Sequence, residues 1–146
     1  MVINVTRPNL QLKALPPLVG QLKDGLNVSV GGKSAGRAVE LGEPTWLQKK
    51  GVTNGKKFHI DGFFEVPKNG LYQFHVRSDC DLKITADSVL LFEGKGRYVP
   101  QYLLAPLESG LHRIDIAGTG RGKNRMEVSF GSDGCHPISA KQFRSL

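Results

Sequence analysis

Two alternating runs on either side of a turn sequence restrict most strongly what this chain can form. The runs are Phe63–Val66 and Leu71–Arg77, and the residues between them are proline, lysine, asparagine and glycine, which favour a turn. In the second run Tyr72, Phe74 and Val76 lie on one side of an extended strand, because successive side chains of a strand point to opposite faces. The stretch therefore predicts a β-hairpin with one aromatic-rich face for a core.

Short apolar or alternating runs recur through the rest of the chain. They are Val2–Val5, Leu26–Val30, Phe58–Ile60, Leu82–Ala86, Val89–Phe92, Tyr98–Leu104, Leu111–Ile116 and Met126–Phe130. Turn signals separate them about every 8 to 12 residues, a spacing typical of β-sandwiches. The 18 glycines and 8 prolines disfavour long helices. The sequence therefore predicts an all-β fold, an antiparallel β-sandwich of about nine or ten strands with minimal helix.

Four features carry finer predictions. The continuous run Val89–Phe92 is typical of a buried strand. Pro100 has no backbone N–H, so the strand within Tyr98–Leu104 is expected at a sheet edge or a bulge. The apolar residues of Leu111–Ile116 share one face only if a bulge shifts the register. Trp46 is expected to anchor the core or its rim, and a sugar-stacking platform is the alternative.

Length, charge and hydropathy limit the class of protein. At 146 residues, the chain is expected to form one domain over residues 1–146. The net charge of +7 comes from scattered residues without a basic helix or an RNA-binding signature, so nucleic acid is not expected as a partner. No apolar run approaches the roughly 20 residues of a membrane helix, so membrane insertion is not expected either.

A series of motifs from Gly62 onward carries a family resemblance. They are Gly62–Phe74, Ser78-Asp79, Leu82–Ile84, Leu107–Ile114, Met126–Phe130 and Pro137–Ala140. In this order they resemble the PA14 domain family, β-sandwich modules of bacterial toxins, yeast adhesins and glycoside hydrolases. The family-like part covers residues 58–143, and residues 1–57 are expected to add strands to the same domain. The resemblance implies an extracellular, periplasmic or cell-surface module of a larger parent protein, with an export signal outside this chain.

The resemblance also implies a calcium site. In sugar-binding members of the PA14 family, two adjacent aspartates hold a Ca²⁺ that coordinates carbohydrate hydroxyls. Here Asp79 matches the first aspartate, Cys80 replaces the second, and Asp81 follows. With Asn124 from a late loop, Asp79 and Asp81 are the implied Ca²⁺ ligands. The alternative is that both aspartates only accept turn hydrogen bonds from backbone N–H groups.

The late loop, residues 118–124, is implied to complete the ligand site. It carries Arg121 and Lys123, whose charges oppose calcium but suit sulfate or carboxylate groups. The expected partner is therefore a glycan or polysaccharide, with a preference for anionic ligands if Ca²⁺ is absent. The candidate ligand-binding residues are Asp79, Asp81, Arg121, Lys123 and Asn124.

Two functions remain open from the sequence. One is a non-catalytic carbohydrate-binding module of a larger extracellular protein or enzyme. The other is a structural or protein-interaction module in which the same loops are ordinary turns. An enzyme is not expected, because the histidines and cysteines show no catalytic or metal-binding spacing. His59, His75 and His112 are expected mostly at solvent-facing strand positions, and neighbours such as Cys135 and His136 point apart on a strand.

Cys80 and Cys135 are the two cysteines of the chain. In an exported domain such a pair is ordinarily a disulfide. If the resemblance holds, however, the strand after the late loop carries Cys135 toward the opposite end of the sandwich, too far for a bridge. Two free thiols are therefore predicted, and Cys80, in a loop, is expected to be the more reactive.

Overall fold

A computed structural model gives the fold for residues 2–5, 23–38, 44–131, 136–137 and 143–145. These ranges contain thirteen strands and one short helix, α1 (Trp46–Lys49). The strands are β1 (Val2–Val5), β2 (Lys23–Asp24), β3 (Leu26–Val30), β4 (Lys33–Ala38), β5 (Lys57–Val66), β6 (Gly70–Ser78), β7 (Asp81–Ala86), β8 (Val89–Gly94), β9 (Gln101–Leu107), β10 (Gly110–Thr119), β11 (Met126–Gly131), β12 (His136–Pro137) and β13 (Phe143–Ser145).

The strands form two sheets. The first sheet has the order β1-β9-β6-β11-β12. The second has the order β2-β13-β5-β10-β7-β8, and β3 pairs with both β4 and β5 beside it. β1 and β9 pair in parallel, whereas the other pairs within the described ranges are antiparallel. The predicted all-β, antiparallel sandwich is therefore confirmed.

The central turn joins the two sheets and does not close a hairpin. β5 lies in the second sheet, whereas β6 lies in the first sheet between β9 and β11. The predicted hairpin is therefore wrong. Residues such as proline, asparagine and glycine favour a reversal of the chain, but a hairpin and a sheet-to-sheet connection use the same residues. The predicted aromatic-rich face is confirmed, because Tyr72, Phe74 and Val76 are all buried.

Two strands occupy positions other than those predicted. β8 lies at the edge of the second sheet, so Leu90 is 50% exposed and the expected fully buried strand is wrong. β9 lies between β1 and β6, which makes it an inner strand instead of an edge. Pro100 does not disturb this pairing, because the strand begins at the next residue.

The inward face of β10 also differs from the expectation. Its pairing with β5 runs without a bulge from Gly110 opposite Val66 to Thr119 opposite Lys57. With this register His112, and not Leu111, shares the inward face with Ile114 and Ile116. The His112 side chain is completely buried, so its predicted solvent-facing position is wrong.

The core lies between the two sheets. Phe64 of the second sheet packs edge to face on Phe74 of the first, with ring centroids 5.5 Å apart, and such pairs stabilise a core beyond the area they bury. Trp46 of α1 is 5% exposed, so the predicted core anchor is confirmed and the alternative of a surface platform is excluded.

Several predictions concern residues outside the described ranges. They include any element within residues 6–22, the segment after Ala38, Cys135 and the closing residues 138–142. Among the helices that the structure does describe, none is long and apolar enough to cross a membrane.

Candidate functional site

Three connections meet at one end of the sandwich. They are residues 79–80 after β6, residues 95–100 after β8 and residues 120–125 after β10. The Asp79 N–H donates to the Arg125 carbonyl (3.1 Å), and the Tyr98 N–H donates to the Ser78 carbonyl (2.9 Å). The first bond ties residues 79–80 to the end of the 120–125 connection, and the second ties the 95–100 connection to the end of β6.

A glycine permits the closest of these approaches. A Cβ atom on Gly96 would lie 2.2 Å from the carbonyl carbon of Asp79 and 2.3 Å from the carbonyl oxygen of Cys80. Such distances are far inside van der Waals contact, so a larger residue would push the 95–100 connection away. The Gly96 N–H also donates to Oδ1 of Asp81 (3.3 Å). Glycine at this position therefore sets the shape of the site.

Asp79 is held by Arg125. The Arg125 guanidinium donates from Nε to Oδ2 (2.7 Å) and from its terminal nitrogen to Oδ1 (3.1 Å), which is a bidentate pair. These hydrogen bonds, together with the Arg125 charge, hold the pKa of Asp79 below its usual value, although partial burial opposes the shift. The Asp79 carboxylate is therefore charged and already paired on both oxygens.

Asp81 is more open. Its side chain is 41% exposed, and Oδ1 lies 3.3 Å from a guanidinium nitrogen of Arg121, whose own side chain is 52% exposed. An ion pair this exposed contributes little stability and exchanges readily with solvent. Asp81 and Arg121 are therefore available to a ligand in a way that Asp79 is not. Lys123 is also exposed, and its charge contributes to lowering the pKa of Asp79.

Asn124 is directed into the protein. It adopts a left-handed backbone conformation (φ 55°), which asparagine tolerates, and only 9% of it is exposed. Its Nδ2 donates to Oδ1 of Asn54 (3.3 Å), and its Oδ1 lies 4.0 Å from the Cys80 sulfur. The amide thus links the late loop to the chain before β5 and has a structural role in this arrangement.

Cys80 differs from the reactive loop thiol that was expected. It is a free cysteine, but only 1% of it is exposed. Burial raises the pKa of the Cys80 thiol, the charges of Asp79 and Asp81 raise it further, and hydrogen bonds from the Arg121 backbone and Ser78 only partly compensate. The expectation of an accessible thiolate is therefore wrong, because the position before β7 faces the core.

The expected calcium ligands do not fit a calcium site in this arrangement. Ca²⁺ takes six to eight oxygen ligands. Both oxygens of Asp79 are bound by Arg125, and the amide oxygen of Asn124 faces Cys80 in the interior. Asp81 is paired with Arg121, so a cation is present at each carboxylate. Within the described ranges, no three His, Cys, Asp or Glu side chains come close enough to hold a metal ion.

Tyr98 is a part of this end that the sequence did not indicate. The guanidinium carbons of Arg125 and Arg77 lie 3.6 Å and 4.3 Å from the centre of its ring. Such cation–π contacts stabilise the position of the arginines. Burial and a hydrogen bond with Glu127 raise the pKa of the Tyr98 hydroxyl. Tyr98 therefore fixes Arg125, which in turn fixes Asp79.

A groove of about 490 Å³ opens beside Asp81 on the outer face of the second sheet. Its walls carry three lysines that were not predicted as site residues: Lys57, Lys83 and Lys95. They come from β5, β7 and the connection after β8, and only the strand pairing brings them together. Sequence alone could indicate that each lies on a surface, but not that they share one.

Sequence comparisons and structure comparisons give different results for this chain. No protein-family model matches the sequence, and a search of curated proteins finds no significant match. Solved structures do match. The PA14 domain of the MpAFP antifreeze protein is 15% identical with a TM-score of 0.67, over 89% of this chain and 95% of that one. The fold is PA14-like.

Two other solved structures are also similar to this chain, and one of them is a PA14 domain. A PA14 sugar-binding domain from an RTX adhesin is 13% identical with a TM-score of 0.62, over 85% of this chain and 99% of that one. An anti-sigma factor domain-containing protein has a TM-score of 0.73 at 13% identity, over 89% of this chain. This chain spans 50% of the length of that protein, whereas it spans almost the whole of the two PA14 domains.

Proposed function

We propose that this PA14-like domain is a non-catalytic carbohydrate-binding module of a larger extracellular or cell-surface protein or enzyme. The observation that carries the proposal is the exposed ion pair of Asp81 and Arg121, whose acidic member lines a groove of about 490 Å³. Ligand sites commonly have volumes of about 300–1,000 Å³ and a few convergent polar groups. The likeness to an adhesin domain described as sugar-binding supports the same function.

The site in this proposal consists of Asp81, Arg121 and Lys123, with Asp79 and Asn124 behind them as its framework. Exposed guanidinium and ammonium groups donate several hydrogen bonds, and a carboxylate accepts them, which suits the hydroxyl and acidic groups of a glycan. Asp79 is engaged by Arg125, so its contribution is to hold the late loop in place.

A hydrolytic role is less well supported by the chemistry of the two aspartates. Glycoside hydrolysis needs one carboxylic acid with a raised pKa as a proton donor. Hydrogen bonds from Arg125 lower the pKa of Asp79 instead. Asp81 is exposed, and its Oδ1 lies 3.3 Å from a guanidinium nitrogen of Arg121. Binding without catalysis is therefore the proposed activity.

A structural or protein-interaction module is the second candidate, and one observation favours it. The expected ligand-binding groups Asp79 and Asn124 both have partners within the protein. Polar loop residues that already have hydrogen-bond or ion-pair partners within the protein do not require a ligand to account for them. In this second reading, Arg121 and Lys123 are ordinary surface charges.

A glycan array separates the two candidates. The purified domain is applied to neutral and acidic glycans in Ca²⁺ and in EDTA, beside the variant Arg121→Ala/Lys123→Ala. Lys68→Glu is the matched control, because it changes the net charge by the same amount at the far end of β5, where Lys68 is exposed. We expect defined glycans to bind the wild type and the control but not the loop variant. No binding to any glycan, or equal binding by all three proteins, would contradict the proposal.

A further inference from the structure

The groove on the outer face of the second sheet has a rim of lysines above a floor of small residues. Cross-strand pairing places Lys57, Thr119 and Asp81 in one row and puts Ala117 beside Lys83 in the next. Lys57, Lys83 and Ala117 are exposed, whereas the inward residues Phe58, Leu82 and Ile116 of the same strands are buried. The row of Lys57, Thr119 and Asp81 runs across β5, β10 and β7, so an extended ligand bound along it would cross three strands.

The floor is flat because its exposed position on β10 is Ala117, whose side chain is one methyl group, and the neighbouring inward side chains point away from this face. A Cβ on Gly118 would lie 2.4 Å from Cζ of Phe58, so the Phe58 ring occupies the space below that residue. Gly94 of β8 lines the groove beside Leu82. With Ala117 on top, the floor offers apolar surface without a bulky side chain. Such a surface suits the C–H faces of a pyranose ring, whose polar groups project at its rim.

The charge on the rim is mostly unneutralised. Among the described residues, no carboxylate lies within 4.0 Å of the amino groups of Lys57, Lys83 or Lys95. Asp81 is paired with Arg121, which leaves Glu93 as the one unpaired acidic residue lining the groove in the part of the chain that the structure describes. Glu93 lies opposite Lys83 in the β7–β8 pairing. An excess of positive charge over an apolar floor attracts an anionic ligand.

The geometry points to an acidic polysaccharide, one that carries carboxylate or sulfate groups, as the occupant of this groove. Lys57, Lys83 and Lys95 bind its anionic groups, and Ala117 packs against the sugar rings. The inference rests on the proposed carbohydrate-binding function and adds to it the class of glycan and a second set of residues. The lysines extend the site from Asp81 across the sheet, away from Arg121 and Lys123.

Single-stranded nucleic acid is the competing polyanion, and the floor disfavours it. Proteins that bind single strands stack bases on exposed aromatic rings. The aromatic residue that lines the groove, Phe58, is only 4% exposed. Bases would therefore have no ring to stack on within the described groove, whereas sugar rings need none.

Affinity measurements on immobilised polysaccharides test the inference. The probes are polygalacturonate for carboxylate, heparin for sulfate, a neutral β-glucan and oligo(dT), each measured at about 0.15 M salt, where surface charges are partly screened. The variant is Lys57→Gln/Lys83→Gln. Lys68→Glu is again the matched control, because it lowers the net charge by two, as the groove variant does. Thermal unfolding by circular dichroism checks that the variant is folded, which is expected because both lysines are exposed.

We expect the groove variant to bind polygalacturonate or heparin about tenfold more weakly than wild type, and the control to stay within about twofold. An equal loss in the control, or oligo(dT) binding as tight as that of the polysaccharides, would overturn the inference. Binding to the neutral glucan alone, or a loss seen only with Arg121→Ala/Lys123→Ala, would overturn it and leave the proposed function intact. Absence of binding to every polysaccharide would reject both.

Discussion

Nδ1 of His112 lies 2.6 Å from Oδ2 of Asp87, and Nε2 of the same ring lies 2.6 Å from the carbonyl oxygen of Glu108. A carbonyl oxygen only accepts, so Nε2 carries a proton, and the carboxylate at Nδ1 favours a second proton there. Burial alone would lower the pKa of His112, but the hydrogen bonds to Asp87 and Glu108 raise it above its ordinary value. Below that raised pKa, His112 is therefore a buried imidazolium paired with the Asp87 carboxylate.

This pair predicts a stability that depends on pH. The pKa of His112 in the folded protein lies above the unfolded value of about 6.5, so the pair contributes fully below about pH 6.5. The contribution is lost as pH rises through the higher, folded pKa. Asp87→Asn removes the charge but keeps a residue that tolerates the left-handed backbone at this turn (φ 49°). We expect it to reduce the free energy of unfolding by about 3 kcal/mol at about pH 5.5, and by less at about pH 9.

Urea unfolding of both proteins at the two pH values measures this difference. Asp61→Asn is the control, because Asp61 is 30% exposed and pairs with Arg113 at the surface. Its effect is expected to stay small and constant over the same range. A difference between Asp87→Asn and wild type that does not change with pH would show that His112 is neutral in the folded protein.

The strands could largely be predicted from the sequence because side-chain alternation is a local property. Leu26–Val30 and the inward face of Leu71–Arg77 follow directly from the pattern. The sheet to which each strand belongs could not be predicted. The residues between β5 and β6 specify a reversal of the chain, and only the distant partners β10 and β11 decide that these two strands lie in opposite sheets.

Part of the candidate site could be predicted from the family resemblance, but its long-range contacts could not. The resemblance identified Asp79, Asp81 and the late loop, and the structure places them at one end of the sandwich. It gave no sign that Arg125, 46 positions after Asp79, binds both oxygens of that carboxylate. Likewise it gave no sign that the inward-facing His112 pairs with Asp87, which is 25 positions away. Long-range charge pairs of this kind leave no periodic pattern in a sequence.

Gly96 predicts a steric limit at the site. Gly96→Ala places a methyl group 2.2 Å from the Asp79 backbone, which must move to admit it. We expect a loss of about 1–3 kcal/mol in the free energy of unfolding, the usual cost of forcing an atom into a packed region. Gly70→Ala is the matched control, because its Cβ meets nothing closer than 3.7 Å. Equal effects of the two substitutions in urea unfolding would contradict the close approach.

The burial of Cys80 predicts slow reaction with thiol reagents. A Cys135→Ser variant leaves Cys80 as the one thiol of the chain. Because burial raises the pKa of that thiol and excludes the reagent, we expect alkylation by iodoacetamide to be slow in the native protein and complete in denaturant. Intact mass after a timed reaction measures the modified fraction. Native labelling as fast as that of a free thiol in solution would show that Cys80 is exposed.

The pairing of Asp79 with Arg125 predicts that calcium does not stabilise the folded protein. A ligand that binds only the folded state raises the free energy of unfolding in proportion to the logarithm of its concentration over its Kd. Since Arg125 occupies both oxygens of Asp79, we expect millimolar CaCl₂ and EDTA to give the same Tm, with MgCl₂ at equal ionic strength as the control. Asp79→Asn is expected to lower the Tm in all three solutions alike, because it removes one partner of the bidentate pair. A rise in Tm specific to Ca²⁺ that disappears in Asp79→Asn would show instead that calcium displaces Arg125 from this carboxylate.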